Sequence, residues 1–218
     1  MYGSAFADRR DAGRQLAKAL AHHAGEKGLL VLALPRGGVP VGYEVAKALG
    51  ADLDILLVRK LGTPGQPELA MGAIASGGIE VINPRIVQAL GISERQIQEV
   101  AREEYAELQR REAAYRGDRP FPEIAGRTVI LVDDGLATGA SMKAAIQALK
   151  TLEPGKIVVA VPVAPPDTLS SLESEVDEVV ALMAPPAFAA VGQWYIDFGQ
   201  TSDSEVRELL QKAWGKSA

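Results

Sequence analysis

The sequence predicts an α/β fold, in which a doubly wound and mainly parallel sheet is flanked by helices. Short apolar runs alternate along the chain with segments whose apolar residues recur at helical spacing. Residues 129–132 are apolar without alternation, which is typical of a strand covered on both faces. Residues 29–58 have the pattern strand, glycine turn, helix, strand, which is the crossover unit of a parallel sheet.

The N-terminal part of the chain is predicted to hold one helix and then this crossover unit. Residues 6–23 carry apolar side chains along one helical side. Residues 29–34 form an unbroken apolar run, and so a buried strand, after which two glycines break the chain. Residues 39–49 return to helical spacing, with Gly50 as the stop, and residues 53–58 form the next strand.

The middle of the chain is predicted to be irregular before a long helix begins. Residues 61–68 contain two glycines and two prolines, which indicates a flexible loop. Residues 71–75 and 79–82 flank a glycine pair and predict a hairpin. Ser93 and Gln96 are spaced as a capping box, so we expect a helix to begin there. The later elements are expected as strands at 129–132, 156–161 and 177–182 and helices at 93–116, 142–151, 167–173 and 203–214.

We expect a single domain, because 218 residues are enough for one hydrophobic core. The apolar fraction of 47% is ordinary for a globular protein. The two ends of the chain are expected to form a small cap on this domain, which we call the predicted hood. The predicted domain covers 1–218, with a core at about 25–183, a flexible loop and hairpin at 61–82, a helical insertion at 93–116, and the predicted hood at 1–24 and 184–218.

Bulk properties exclude several classes of protein. The formal net charge of −5 and the pI near 5.2 argue against a nucleic-acid partner. Cysteine is absent, which excludes disulfides, thiolate nucleophiles and thiolate metal sites. The first 25 residues lack the apolar core of a signal peptide, and the apolar runs are too short to span a bilayer. We therefore expect a cytoplasmic protein without a membrane partner.

Two adjacent carboxylates mark the predicted functional site. Asp133 and Asp134 directly follow the buried run at 129–132, at the strand end where ligands bind in open parallel sheets. Carboxylates suit vicinal hydroxyls or a hydrated cation. The small residues at 135–141 leave the backbone free to reach an anion, and the following helix points its N-terminus to the same place.

The segment Val129-Ile-Leu-Val-Asp-Asp-Gly-Leu-Ala-Thr-Gly-Ala-Ser141 resembles the phosphoribosyl pyrophosphate (PRPP) motif of the type I phosphoribosyltransferases. The resemblance implies that Asp133 and Asp134 hold the ribose 2′- and 3′-hydroxyls. It also implies Mg²⁺, bound through PRPP oxygens and water. Gly135 departs from the family, which usually has an aliphatic residue there, and we expect it to loosen the loop slightly. The residues implied at the 5′-phosphate are Ala137, Thr138, Gly139, Ala140 and Ser141.

A second glycine turn, Pro35-Arg-Gly-Gly38, also joins a buried strand to a helix. Taken alone, it is equally well explained as a plain turn. Beside the PRPP motif it resembles the family's pyrophosphate loop, which implies contacts from Arg36, Gly37 and Gly38 and a cis peptide within the turn. Lys60 follows an apolar run and is expected at the sheet's carboxyl edge, where the resemblance implies a contact with pyrophosphate; a solvated surface cation is the alternative.

The aromatic segment 188–198 is expected to form the base pocket, because aromatic faces stack on planar rings. Within this segment, the pattern Val-Gly…Asp-Phe resembles the hood of hypoxanthine-type enzymes, and the match requires a gap of one residue. The resemblance implies that Phe188, Val191 and Trp194 lie beside the base and that Asp197 lies beside a metal ion. Aromatic residues that merely close the core are the alternative.

Two positions bear on the acceptor. Glu68, in the predicted flexible loop, is a candidate general base for the acceptor N–H, although an exposed glutamate without a role is the simpler alternative. Ala137 stands where hypoxanthine-guanine enzymes usually have an aspartate, and adenine enzymes are more similar at this position. Because this position and the aromatic segment favour different subfamilies, the identity of the base stays open.

The resemblance implies a magnesium-dependent glycosyltransferase that moves the 5-phosphoribosyl group of PRPP to a nitrogen of a nucleobase or related acceptor. Such a reaction belongs to nucleotide metabolism, in purine or pyrimidine salvage. A regulatory protein that senses PRPP or a nucleotide with the same fold is the alternative. A PRPP synthetase-like enzyme is disfavoured, since no ATP-binding loop is recognised. Family members often form homodimers, which the sequence leaves open.

Overall fold

The computed structural model describes residues 6–215. Its strands are β1 (Leu30–Ala33), β2 (Asp52–Ile55), β3 (Val58–Thr63), β4 (Gln66–Ala75), β5 (Ile79–Ile82), β6 (Thr128–Val132), β7 (Lys156–Val163) and β8 (Glu178–Met183). Its α-helices are α1 (Arg9–Ala19), α2 (Gly38–Leu49), α3 (Pro84–Leu90), α4 (Glu94–Arg116), α5 (Ala140–Lys150), α6 (Pro166–Glu173) and α7 (Asp203–Trp214). Within residues 6–215, no helix is long and apolar enough to cross a membrane.

The central sheet has five parallel strands in the order β2-β1-β6-β7-β8. Ala33 pairs with Ile55 on one side and with Val132 on the other, so the carboxyl ends of β1, β2 and β6 lie at one level. Every residue of β6 is buried, in agreement with its unbroken apolar run. The predicted doubly wound, mainly parallel sheet is therefore confirmed.

Helices cover both faces of this sheet. Ile130 and Val132 pack with buried residues of α1, α2, α4 and α7. Val129 and Leu131, which point to the other face, pack with α5 and α6. The alternation along one strand thus explains why β6 is apolar at every position from Val129 to Val132.

The two chain ends contribute less to the hood than we expected. α1 and α7 belong to the helical layer, because Leu16 and Leu209 pack in the same core as β6. Residues 184–200, which we call the hood segment, lie against the carboxyl edge and are joined by backbone hydrogen bonds to Phe6 and Ala7. Residues 1–5 and 216–218 of the predicted hood lie outside the described residues.

The segment predicted as a flexible loop at 61–68 instead forms parts of two strands. β3, β4 and β5 make a separate antiparallel sheet, in which only the β4–β5 hairpin was predicted. Pro64 and Gly65 form the turn between β3 and β4, and Gly65 has the positive φ of +79° that a type II turn requires. The sheet is held because Leu61 and Met71 are fully buried in the core.

The long helix α4 begins as predicted, whereas α3 before it was missed. The Ser93 side chain accepts from the Gln96 N–H, and the Gln96 side chain accepts from the Ser93 N–H. α3 has Asn83 as its N-cap and ends at Gly91 in the left-handed conformation. These caps were readable in the sequence, but seven residues give too short an apolar pattern to be recognised.

A cluster of charged side chains closes the opposite, amino edge of the sheet. Glu178, at the start of β8, accepts from His22, His23 and Lys156 at 2.7–3.1 Å. Burial opposes ionisation of Glu178, but these hydrogen bonds outweigh it and lower its pKa to about 2. The cluster ties the end of α1 to β7 and β8.

The stability contributed by Glu178 is expected to disappear in acid. Its folded-state pKa of about 2 lies below the ordinary value of 4.5, so the contribution is complete above pH 4.5 and is lost as the pH falls toward 2. Urea denaturation should show wild type more stable than Glu178→Gln by roughly 1–2 kcal/mol near neutral pH, a figure discounted for partial exposure. This difference should narrow in acid; a difference that does not vary with pH would contradict the assignment.

Candidate functional site

The two predicted acids lie at the middle of the sheet's carboxyl edge. β6 ends at Val132 between β1 and β7, and Asp133 and Asp134 follow at once. The Asp133 carboxylate accepts from the Asp134 backbone N–H at 2.8 Å, and both residues are partly buried. Burial is the main cause that raises the pKa of Asp133 well above its ordinary range, and the nearby charge of Asp134 is the second. Hydroxyl donors or a cation would favour the ionised form of this pair.

Arg9 is a site residue that sequence reasoning missed. Its Nε donates to Asp134 Oδ2 at 2.8 Å, and its Nη1 donates to the Gly199 carbonyl at 2.5 Å. The guanidinium carbon lies 4.0 Å from the centroid of the Phe198 ring. The sequence offered no signal beyond a cation at the start of a helix, because Asp134 lies 125 residues away.

The predicted pyrophosphate loop lies directly beside the acids. The Pro35–Arg36 peptide is cis, as expected for this turn. A Cβ atom at Gly37 would lie 2.0 Å from Asp134 Oδ2, and one at Gly38 would lie 2.8 Å from the Val132 carbonyl. Only glycine allows this approach. The Arg36 guanidinium remains half-exposed, 3.7 Å from the carboxylate of Asp203.

The small-residue loop after the acids is held by hydrogen bonds to residues that follow it in the chain. Gly139 has a φ of +73° and is the N-cap of α5. Thr168 Oγ1 donates to the Ala137 carbonyl at 2.7 Å, and the Leu136 N–H donates to the Val163 carbonyl at 3.0 Å. The outer surface of the loop remains open, since its remaining members are exposed. These exposed residues are Ala137, Thr138, Ala140 and Ser141.

Gly135 is closely packed against two valine side chains and does not loosen the loop. A Cβ atom there would lie 2.6 Å from Val191 Cγ1 and 3.1 Å from Val163 Cγ1. The hood segment therefore rests on the backbone at this residue. The expectation of a looser loop is wrong, because Val191, from a distant part of the chain, fills the space that a side chain at this position would occupy.

Gly135→Ala is expected to destabilise the fold by about 1–3 kcal/mol, since the added methyl group overpacks a filled site. The second substitution Val191→Ala removes the closest clashing atom and should restore part of the loss. Thermal denaturation of the single and double variants measures both effects. Equal stability of wild type and Gly135→Ala would contradict the contact.

The aromatic residues of the hood segment are divided between core and surface. Trp194 is 8% exposed and packs with Phe6 and Val163, so it closes the core of the hood segment. Phe188 lies against it with ring centroids 6.4 Å apart. Phe198, which is 37% exposed and packs against the Arg9 guanidinium, lies in this segment but was not singled out as a base-pocket residue.

Three predicted residues have neighbours other than the two acids. Lys60 lies within β3, in an open groove facing Lys143 of α5, because the second parallel strand ends earlier than expected. Glu68 is exposed in β4, and Asp197 Oδ1 accepts from the Gly199 N–H at 3.0 Å. Among the hydrogen bonds and ion pairs of residues 6–215, none joins these side chains to the two acids.

Comparisons with known proteins agree with this geometry. A provisionally named phosphoribosyl transferase of Mycobacterium tuberculosis strain H37Rv is 49% identical over 208 residues, as is its counterpart in strain CDC 1551. The match covers 95% of this chain and 47% of each relative, so the chain spans about half the length of these curated relatives. The crystal structure of TT1426 from Thermus thermophilus matches with a TM-score of 0.86 and 45% identity, covering 95% of this chain and 98% of that one.

A family model described as the phosphoribosyl transferase domain matches residues 5–184. This range begins before α1, contains the whole central sheet, and includes both glycine loops and the two acids. The chain therefore belongs to the phosphoribosyl transferase domain family, with the type I phosphoribosyltransferase fold.

Proposed function

We propose that the protein transfers the 5-phosphoribosyl group of PRPP to a nitrogen of a nucleobase or related acceptor and releases pyrophosphate. The observation that carries this proposal is the contact between two adjacent carboxylates and two glycine loops. Asp134 lies against Gly37 of one loop, and the other loop begins at the next residue, Gly135. A sugar carrying a phosphate at one end and a pyrophosphate at the other needs this arrangement.

Each end of PRPP is assigned to one loop. Asp133 and Asp134 accept from the ribose hydroxyls, which are the donors that carboxylates suit. Residues 137–141 face the 5′-phosphate with their backbone N–H groups at the start of α5. Arg36, Gly37 and Gly38 face the pyrophosphate, and Lys60 of β3 is a further candidate contact.

The reaction requires positioning and charge neutralisation more than protein nucleophiles. An acceptor nitrogen attacks the anomeric carbon while the bond to pyrophosphate breaks, through a transition state resembling an oxocarbenium ion. Mg²⁺ would be bound through PRPP oxygens and water beside the Asp133–Asp134 pair, whose carboxylate oxygens suit a hydrated cation. When bound, the metal ion would neutralise charge on the departing pyrophosphate. Asp197, whose side chain is exposed, is a second candidate ligand.

The acceptor is assigned to the hood segment, beside the acids. Phe188 and Val191 are half-buried and offer apolar surface for a planar ring, and Val191 lies against Gly135 in the loop that follows the acids. Trp194 would support this surface from the core. Glu68 is the candidate base for the acceptor N–H. We place the reaction in purine or pyrimidine salvage.

Pyrophosphate release tests the proposal. The protein is incubated with PRPP, Mg²⁺ and a panel of purine and pyrimidine bases, with Asp134→Asn as the inactive control. We expect release with at least one base and with wild type only. Tight PRPP binding without release on any base would instead support a PRPP sensor, and absence of binding would reject both functions.

A further inference from the structure

Arg9 lies where three functional parts of the molecule meet. It touches the second acid through Nε, the hood segment through Nη1, and the Phe198 ring through its flat face. A Cβ atom at Gly37 would lie 3.1 Å from Arg9 Nε, so the pyrophosphate loop is also adjacent. The reaction assigned above gives this residue no role.

The contact between Arg9 and Asp134 is shielded from solvent. The Arg9 side chain is 13% exposed and the Asp134 side chain is 14% exposed. A shielded ion pair of this kind is costly to break, because one charge is then left without its partner. By contrast, Arg10 is 45% exposed and approaches Glu205 only to 3.9 Å.

The same acid is also tied to the hood segment through its backbone. Tyr195 Oη donates to the Asp134 carbonyl at 2.5 Å. The hood segment is thus fastened to one residue twice, by Tyr195 at the main chain and by Arg9 at the side chain. A movement of Asp134 cannot leave the hood segment unaffected.

We infer that Arg9 is a positioning residue that couples PRPP binding to the placement of the acceptor pocket. The inference rests on the proposed function. Arg9 holds the Asp134 carboxylate by one oxygen and leaves its other lone pairs for a ribose hydroxyl. Because the same guanidinium holds the Gly199 carbonyl, fixing the sugar also fixes the segment that carries the acceptor surface.

A guanidinium is needed for this task. Its donors point in different directions within one plane, so it can bond the carboxylate and the carbonyl while its face rests on Phe198. A lysine ammonium would keep the charge but could not present a flat face to the ring. Arg9→Lys should therefore bind PRPP better than Arg9→Gln and still fail to hold the hood segment.

The test measures Mg²⁺–PRPP affinity by calorimetry and deuterium uptake in residues 192–200 by hydrogen exchange. Arg10→Gln is the matched control, because it removes the neighbouring charge. We expect Arg9→Gln to weaken PRPP binding about tenfold or more and Arg10→Gln to change it less than about twofold. In wild type, PRPP should lower uptake in residues 192–200, whereas in Arg9→Gln it should not.

A double-mutant cycle with Asp134→Asn separates coupling from general loosening. If Arg9 acts through Asp134, the two substitutions together should weaken binding by much less than the product of their single effects. If wild type binds PRPP and Arg9→Gln has the same PRPP affinity and the same PRPP-dependent deuterium uptake as wild type, the inference is overturned and the proposed function stands. Absence of PRPP binding by wild type overturns both.

Discussion

Replacing Asp133 and Asp134 together by asparagine is expected to reduce the affinity for PRPP by at least about 100-fold. Hydrogen bonds to charged groups are worth roughly 1.5–3 kcal/mol each, and the double substitution removes the charge from both acceptors of the ribose hydroxyls. Asparagine is close in size to aspartate, so the carboxyl edge of the sheet keeps its shape. Calorimetric titration with Mg²⁺–PRPP measures the loss.

Asp118→Asn is the matched control, since Asp118 is exposed in the turn after α4. It should bind PRPP as wild type does. Thermal denaturation of the double variant shows whether the fold is retained, and we expect a cooperative transition. A well-folded double variant with unchanged PRPP affinity would show that the acids do not hold the ribose.

Arg116→Ala is expected to destabilise the protein by roughly 3–5 kcal/mol, which is the usual cost of removing one partner of a buried ion pair. Arg116 and Asp54 are both only 4% exposed, and the guanidinium donates to Asp54 Oδ1 at 2.9 and 3.1 Å. Arg116 Nη2 also donates to the Ile55 carbonyl at 2.9 Å. Burial raises the pKa of Asp54 despite the nearby guanidinium, so the carboxylate left behind would be strongly disfavoured.

Urea denaturation of Arg116→Ala measures this loss. The control is Arg110→Ala, because Arg110 is 67% exposed and pairs with Glu107 at the surface. The control should cost less than about 1 kcal/mol. Equal losses in the two variants would show that the buried pair does not anchor α4 to the end of β2.

The parallel sheet could be predicted because its information is local. Each buried strand is a short apolar run, and the turns from β1 into α2 and from β6 into α5 contain glycine. The antiparallel sheet was only partly predicted, since a Pro-Gly pair such as Pro64 and Gly65 occurs both in irregular loops and in tight turns between strands. The burial of Leu61 and Met71, which decides between the two, depends on contacts with distant parts of the chain.

The functional site, too, could be predicted only where its residues are close together in the sequence. Asp133, Asp134 and their loop are consecutive in sequence, so one segment was enough to locate them. Arg9 reaches the same place from the opposite end of the chain, and no local pattern marks it. Phe198 belongs to the Val-Gly…Asp-Phe pattern, but its contact with Arg9 could not be predicted from that pattern. Trp194 was assigned to the base pocket on its residue type, whereas the packing around it places it in the core.

A crystal structure with Mg²⁺ and an unreactive PRPP analogue tests the central claim most directly. We predict that the ribose hydroxyls lie within hydrogen-bonding distance of Asp133 and Asp134. We also predict the 5′-phosphate at residues 137–141 and the pyrophosphate at the turn formed by Arg36, Gly37 and Gly38. An analogue bound elsewhere, or bound with its phosphates away from both loops, would contradict the assignment.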